Sequence, residues 1–261
     1  MGMKKKIVIN EYDVGQGNRV LRAAIAADLH NSSYDDILPL ISDANPDVVF
    51  LPGDTCGSLT DCTQPAGELT ARYVEEATHN DVGFDFMQKV SSVAPVYFSV
   101  GNHEVSVSDA NRGRIMSAGV TLLDNSYVRL GQFWLGGLST GGAHGLWHKS
   151  NPPDVAWLET FAALNGPKIL LCHHPEYWER YIIGKDIFLT VAGHAHGGQW
   201  RAFGRGLLAP GQGLFPRYTS GVHQRGEQYM VVSRGLRKEC GVPRINNPPE
   251  VVIINIYYKG E

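Results

Sequence analysis

Net charge, cysteine and long apolar runs are all in short supply, and each shortage removes a class of function. Lysine and arginine total 23 against 26 acidic residues, a formal charge of −3. A general nucleic-acid binder carries a strong basic excess or stripe, and this balance does not suggest one. The four cysteines, Cys56, Cys62, Cys172 and Cys240, are scattered and form no Cys-x-x-Cys pair. Neither a disulfide framework nor a thiolate zinc site is indicated. Free thiols in a reducing compartment are expected, with a Cys56–Cys62 bridge as the alternative. Lys4, Lys5 and Lys6 precede Ile7-Val8-Ile9, a run far below the roughly 7–15 residues of a signal-peptide core or the roughly 20 of a membrane span. A soluble, cytoplasmic protein without a membrane span is expected, or an exported or membrane-peripheral one if a segment precedes this sequence. No repeat, low-complexity tract or linker divides the chain, so one domain over 1–261 is expected. Oligomeric state is not legible.

The composition is otherwise that of a globular protein, 43% hydrophobic and 19% charged. Two residue types stand out. Glycine occurs 30 times, against roughly 18 at average usage of about 7%. Histidine occurs 10 times and clusters.

Short, charge-poor runs at 21–27, 47–51, 95–100, 168–172 and 187–192 suit buried central strands. Helical spacing occupies 34–43, where Pro46 is a stop, and 152–164. A long helical stretch over 66–93 carries an expected break near Asp81-Val82-Gly83. The order β, α, β, α, β makes the first hundred residues α/β. Further strands are expected at 127–130, 132–136, 199–203, 228–233 and 251–258, which argues for two sheets rather than one.

Each of the five central runs is followed by metal-capable side chains. Asp28-Leu29-His30 follows the first and Gly53-Asp54 the second. Gly101-Asn102-His103-Glu104, His173-His174-Pro175 and Gly193-His194-Ala195-His196-Gly197-Gly198 follow the others. Open α/β sheets place their sites at the carboxyl ends of strands, so the five segments can converge on one edge. Carboxylates, an amide oxygen and imidazoles without thiolate suit Mn²⁺, Fe or Zn²⁺ better than Ca²⁺. There are more donors than one ion needs, and a two-metal site requires a bridging carboxylate with neutral ligands on either side. An extended Asp28-x-His30 would point both side chains one way. A tight turn at His194-x-His196 could aim one imidazole at each ion. Any one of these segments alone is a weak signal; their order and shared position at strand ends are what make it specific.

At these residues the sequence resembles the calcineurin-like metallophosphoesterase superfamily, whose signature is Asp-x-His, Gly-Asp, Gly-Asn-His-Asp/Glu, a further His, and Gly-His-x-His. The stretches Gly193 to Gln199, Ala209 to Phe215, Val232 to Leu236 and Arg244-Ile-Asn-Asn-Pro-Pro-Glu250 resemble its bacterial YkuE/YaeI-like branch. The resemblance implies a four-layer α-β-β-α sandwich of two mixed sheets with a dinuclear site at the strand C-terminal edge. It implies one metal on Asp28, His30 and His196, a second on Asn102, His173 and His194, and Asp54 as the bridge. His103 would contact phosphate and protonate the leaving oxygen. His173 matches the family's ligand position, which leaves His174 to line the cleft or to stand partly exposed in a loop.

The implied reaction is hydrolysis of a phosphodiester or pyrophosphate in a small phosphorylated substrate by a metal-activated water. Broad phosphomonoesterase activity is the alternative, and a non-catalytic protein-binding scaffold is the rival from another class. Retention of all seven ligand positions and His103 argues against the scaffold. Gly53-Asp54-Thr55-Cys56-Gly57-Ser58 lacks the Gly-Asp-x-x-Asp-Arg-Gly of the family's protein phosphatases, which weakens that reading. Substrate selection is expected in loops at 55–67, 136–150 and 209–218. His144, His148 and Arg234 are candidate substrate contacts, with a mobile polar loop and a structural salt bridge as the alternatives. Tyr177 and Trp178 are expected to pack rather than to wall the cleft.

Overall fold

A computed structural model describes residues 6–57, 59, 81–104, 107–140, 150–237 and 242–259. The first sheet contains β1 (Val8–Gly15), β2 (Asn18–Ile25), β3 (Val48–Pro52), β4 (Val96–Ser99), β5 (Val120–Leu123) and β16 (Glu250–Tyr258). Its order is β1-β16-β2-β3-β4-β5. The second contains β6 (Ser126–Leu130), β7 (Phe133–Leu138), β8 (Lys168–Cys172), β9 (Leu189–Ala192), β14 (Gly221–Arg225) and β15 (Gln228–Val232), in the order β14-β15-β9-β8-β7-β6. Both sheets are mixed. β16 runs antiparallel to β2, whereas β2, β3, β4 and β5 are mutually parallel. β7, β8, β9 and β15 are likewise parallel, with antiparallel β6 and β14 at the edges.

Side-chain alternation along the strands divides the apolar residues into three layers. Ala23, Ile25, Val48, Phe50, Val252 and Ile254 of the first sheet meet Leu135, Ile169, Leu171, Val191 and Val231 of the second. The opposite faces are covered by helices. Ala24, Val49, Leu51, Phe98 and Ile253 pack beneath α1 (Leu38–Asp43), α2 (Asp81–Ser91) and α3 (Asp109–Ser117). Leu170, Cys172, Met230 and Val232 pack beneath α4 (Val155–Ala162) and a π-helical turn, Trp178–Ile182. The order is therefore α-β-β-α. β3, β8 and β9 are buried along their entire length, as expected of parallel strands covered on both sides.

Local signals explain the helix starts. The Ser108 side chain caps α3 by accepting the Asn111 N–H, and Asp154 caps α4 by accepting the Trp157 N–H at 2.9 Å. α1 opens on Pro39, whose missing N–H costs nothing in a first turn. Residues 66–80 of the expected stretch lie outside the described residues, and α2 begins at Asp81, where the break is expected. Gly83, in its first turn, is needed for close approach: its N–H bonds Asn31 Oδ1 at 3.0 Å, and a Cβ there would lie 2.5 Å from Cys56 Sγ. The helix expected over 34–43 starts only at Leu38. The strand expected over 199–203 is a two-residue strand, β10 (Arg201–Ala202), paired with β11 (Arg205–Gly206). A second small hairpin follows, β12 (Leu208–Ala209) with β13 (Gly213–Leu214). Tyr177 and Trp178 are buried packing residues, as expected. Cys56 is a buried free thiol, so the alternative bridge is not formed, and Cys172 is likewise free. Cys62 and Cys240 lie outside the described residues. No helix among the described residues is long and apolar enough to cross a membrane.

Candidate metal centre

The ends of β2, β3 and β4 from one sheet, and of β8 and β9 from the other, open onto a single edge. Asp28 and His30 follow β2, Asp54 follows β3, and Asn102 and His103 follow β4. His173 and His174 follow β8, and His194 and His196 follow β9. The donor atoms of these segments meet in four overlapping groups, each within 4.8 Å: Asp28–His30–His196, His30–Asp54–His103, Asp28–Asp54–His173 and His173–His174–His194. Asp54 and His173 thus sit between the Asp28 end of the cluster and the His194 end. Nearly all of these side chains are buried.

The local backbone differs from the extended chain expected at Asp28-x-His30. Asp28 and His30 have φ of 54° and 49°, the left-handed region that L-residues enter at a cost. What holds them there is a loop-to-loop ladder. Asp28 N–H bonds Gly53 O at 3.2 Å, His30 N–H bonds Asp54 O at 2.9 Å, and Asn31 N–H bonds Thr55 O at 3.1 Å. Asp54, His194 and His196 are also left-handed, at 54°, 65° and 45°. The turn at His194-Ala195-His196 does separate the two imidazoles. His194 faces His173 and His174, with ring centroids 5.0 and 4.1 Å away, whereas His196 stacks on His30 at 5.3 Å.

Glycine is required where loops touch. Gly53 has φ of 89°, and a Cβ on it would stand 2.6 Å from His173 Nδ1 and 2.7 Å from Gly101 Cα. A Cβ on Gly101 would overlap Asp54 Oδ1 and lie 2.5 Å from its backbone nitrogen.

Donor orientation suits cations. His173 Nδ1 lies 2.8 Å from Pro52 O, which holds the ring proton on Nδ1 and turns the Nε2 lone pair inward. That Nε2 lies 3.1 Å from Asp54 Oδ2 and 3.1 Å from Asn102 Oδ1. His30 Nε2 is buried without a hydrogen-bond partner, 3.6 Å from Asp54 Oδ2 and 3.9 Å from Asp28 Oδ1. His196 Nε2 lies 3.9 Å from the same Asp28 oxygen. Imidazole nitrogens and carboxylate and amide oxygens from separate strands converging at such distances fit a divalent cation set of mixed N and O donors.

The electrostatics divide the donors between charged and neutral forms. Burial pushes the Asp28 carboxyl up to about 6, and the nearby charge of Asp54 adds to this. Burial would also raise Asp54, but His173 and His103 outweigh it and hold the carboxyl well below its usual range. Burial disfavours a charged His173, yet Asp54 raises it to about 10. Burial keeps His30, His194 and His196 well below the usual imidazole range, and so neutral and able to donate a lone pair.

His174 is buried rather than partly exposed, with Nε2 3.3 Å from Asn102 Oδ1. His103 is half-buried; its N–H bonds Asp54 Oδ1 at 2.9 Å, and its ring meets that of His30 edge-on at 4.6 Å. Arg234 Nε lies 3.0 Å from Oε2 of the buried Glu250. His144 and His148 lie outside the described residues, as do 58 and 60–67 of the first substrate loop and 141–149 of the second.

The family model for calcineurin-like phosphoesterases matches residues 21–199. The chain belongs to this family. Membership makes it a phosphoester hydrolase and implies divalent metal ions for the donor cluster just described. Phosphodiesterase YaeI of Escherichia coli is 28% identical over 88% of this chain and 80% of that protein. A transmembrane protein with a metallophosphoesterase domain from Danio rerio is 26% identical over 69% of this chain, which spans only 41% of that relative. Among solved structures, the E. coli phosphoesterase YfcE aligns over 89% of this chain and 87% of its own, at 14% identity and a TM-score of 0.42.

The fold also shows what the segment 244–250 does. Arg244, buried, donates to His196 O and approaches His196 Nδ1, both at 3.4 Å. Asn247 Nδ2 donates to His196 O at 2.7 Å and to Gln199 O at 3.1 Å. The segment clamps the left-handed His194–Gln199 loop. Its sequence was visible as a motif, but its partners were not. Arg237 belongs to no recognisable motif; its backbone N–H bonds Asp28 O at 2.9 Å, and its charge bears on His30 and His196.

Proposed function

We propose that this chain is a metal-dependent phosphodiesterase acting on small phosphodiesters or pyrophosphates. The observation that supports it is the convergence of strand-end donors into four overlapping groups, two of which contain Asp54. In this reading Asp28, His30 and His196 hold one ion, Asn102, His173 and His194 hold the other, and Asp54 bridges them. The donor set favours manganese, iron or zinc. His174, with Nε2 3.3 Å from the same Asn102 oxygen, would contact the second ion or the phosphate.

Bound divalent cations supply positive charge for the phosphoryl oxygens and acidify water. The chain's own residues do the rest. Asp54 is the best choice for a bridge because it stays ionised in a buried site. His103 stands at the rim, with its backbone tied to Asp54, and delivers a proton from its imidazole to the leaving oxygen. The carbonyl of Pro52 keeps the His173 proton on Nδ1 and away from the ions. Arg244 and Asn247 hold His196 in place while substrate exchanges.

The diester preference rests on the YaeI relative, a protein named a phosphodiesterase. The test is a panel of diesters, nucleotide-sugar pyrophosphates and monoesters assayed with Mn²⁺. Faster turnover of diesters or pyrophosphates supports the proposal. Faster turnover of monoesters replaces it with the monoesterase reading, and no turnover in metal-loaded protein replaces it with the scaffold.

A further inference from the structure

The two small hairpins that follow His196 carry the most exposed apolar side chains of the described chain. Phe203, at the turn between β10 and β11, is 105% exposed, and Phe215, just after β13, is 80% exposed. Leu214, Ile245 and Trp200 add exposed apolar surface around them. Phe203 and Phe215 both have left-handed φ, 50° and 53°, so the backbone tolerates strain to present them. Solvent-facing phenylalanines on strained turns are not held by packing among the described residues. A cavity of about 930 Å³ lies between the tips, lined by Phe203, Arg205, Phe215, Arg217, Thr219 and His223 among others.

The charge around these tips departs from that of the whole chain. From Gln199 to Gly226 there are four arginines, Arg201, Arg205, Arg217 and Arg225, and no aspartate or glutamate. Glu179 reaches Arg217 at 2.6 Å and Arg225 at 3.8 Å and offsets one of these charges. The surface remains basic in a chain of net −3.

We propose that these hairpins are a wedge that docks the protein on an anionic phospholipid bilayer. Apolar tips ringed by arginine match the two parts of such a surface: acyl chains accept the phenylalanines and lipid phosphates meet the guanidinium groups. Two other occupants fit less well. A second copy docking isologously would set arginine against arginine. Single-stranded nucleic acid would stack its bases along a row of aromatics that follows its backbone, whereas the two phenylalanines here stand on separate turns as exposed tips.

The wedge is tied to the metal centre. Arg201 Nη1 donates to Gly197 O at 2.9 Å and its Nη2 to Gly204 O, and Leu207 N–H bonds Gly198 O at 3.1 Å. Docking would hold the His194–Gln199 loop at the lipid surface. Under the phosphodiesterase reading, the substrates served there are phosphate esters carried by amphiphiles; the docking itself does not depend on that reading.

The test is co-sedimentation of the whole protein with vesicles of phosphatidylcholine alone or with one quarter phosphatidylglycerol. The protein is expected to sediment with the anionic vesicles only and to be released at high ionic strength. Phe203→Ser with Phe215→Ser should weaken partitioning by roughly tenfold or more, while Phe203→Ser alone leaves hydrolysis of a soluble aryl diester at the wild-type rate. Phe203→Trp should shift its emission to the blue on anionic vesicles. Failure of the wild type to sediment overturns the proposal, as does equal sedimentation of the double variant. A single-stranded oligonucleotide bound through these phenylalanines in place of vesicles assigns the surface to nucleic acid. A dimer that the double variant dissociates assigns it to a second copy.

Discussion

Glu104 holds the backbone that carries Asp54. Its Oε2 accepts the Asp54 and Gly101 N–H groups, each at 2.9 Å, and its Oε1 accepts the Cys56 N–H at 2.7 Å. Glu104 is fully buried and belongs to none of the donor groups. Burial and the charge of Asp54 push its pKa up to about 8 while the three donors pull it down. The last position of Gly-Asn-His-Glu is thus a positioning residue for the proposed bridging carboxylate.

Replacing it should therefore damage stability and site geometry together. Glu104→Gln leaves one acceptor oxygen for three N–H groups and should cost about 1.5–3 kcal/mol. Glu104→Ala should cost more, with about 2–4 °C of melting temperature lost per kcal/mol. Melts after chelator treatment separate this effect from metal loss.

His103 should matter according to the leaving group. With His103→Ala, turnover of alkyl esters should fall by about 10²–10⁴-fold, whereas esters of p-nitrophenol, which leaves without a proton, should lose far less. A leaving-group series on the metal-loaded variant reads this directly. Equal losses across the series would remove the acid role.

Metal removal should abolish turnover and lower the melting temperature, because ions that bind only the folded chain stabilise it. The stabilisation is about 2.7 kcal/mol at a hundred times the dissociation constant. Asp54→Asn should eliminate turnover and weaken Mn²⁺ binding, measured by titration calorimetry. Activity that survives complete stripping would end the two-metal proposal.

Arg234→Ala removes the guanidinium beside the buried carboxylate of Glu250, which keeps the residue-234 N–H and the Asn10 amide, and should destabilise the fold by about 1–3 kcal/mol. Pairing it with Glu250→Gln should recover part of the loss. A raised KM at unchanged stability would instead restore the anion-binding role that its sequence position suggested.

The donor positions were legible because each directly follows a buried apolar run, a pattern written in neighbouring residues. The four layers were legible through the family resemblance, and the two sheets from the strand count. Features built on distant partners were not. β1 alternates exposed and half-buried residues and carries Asn10, Glu11 and Asp13, so it lacks the apolar signature of β3 or β8. The need for glycine at Gly83 shows only once Cys56 is known to press against it. The clamp from Arg244 and Asn247 acts across about fifty positions of sequence, and no local periodicity marks it. The left-handed backbone at Asp28 and His30 depends on the ladder to residues 53–55, which defeated an expectation drawn from extended geometry.

The pairing of β16 between β1 and β2 has a consequence for how the molecule is made. Asn10 and Glu250, side by side in the finished sheet, are 240 positions apart in the chain. On a ribosome, β2 and β3 with their aspartates emerge long before the strand that seals their sheet. Until then the edge of β2 is bare, and bare edges recruit other strands. Contacts of such separation also slow folding. Newly made chains should therefore depend on a holding chaperone until β16 is released, and a truncation before Glu250 should aggregate although it retains every proposed metal ligand.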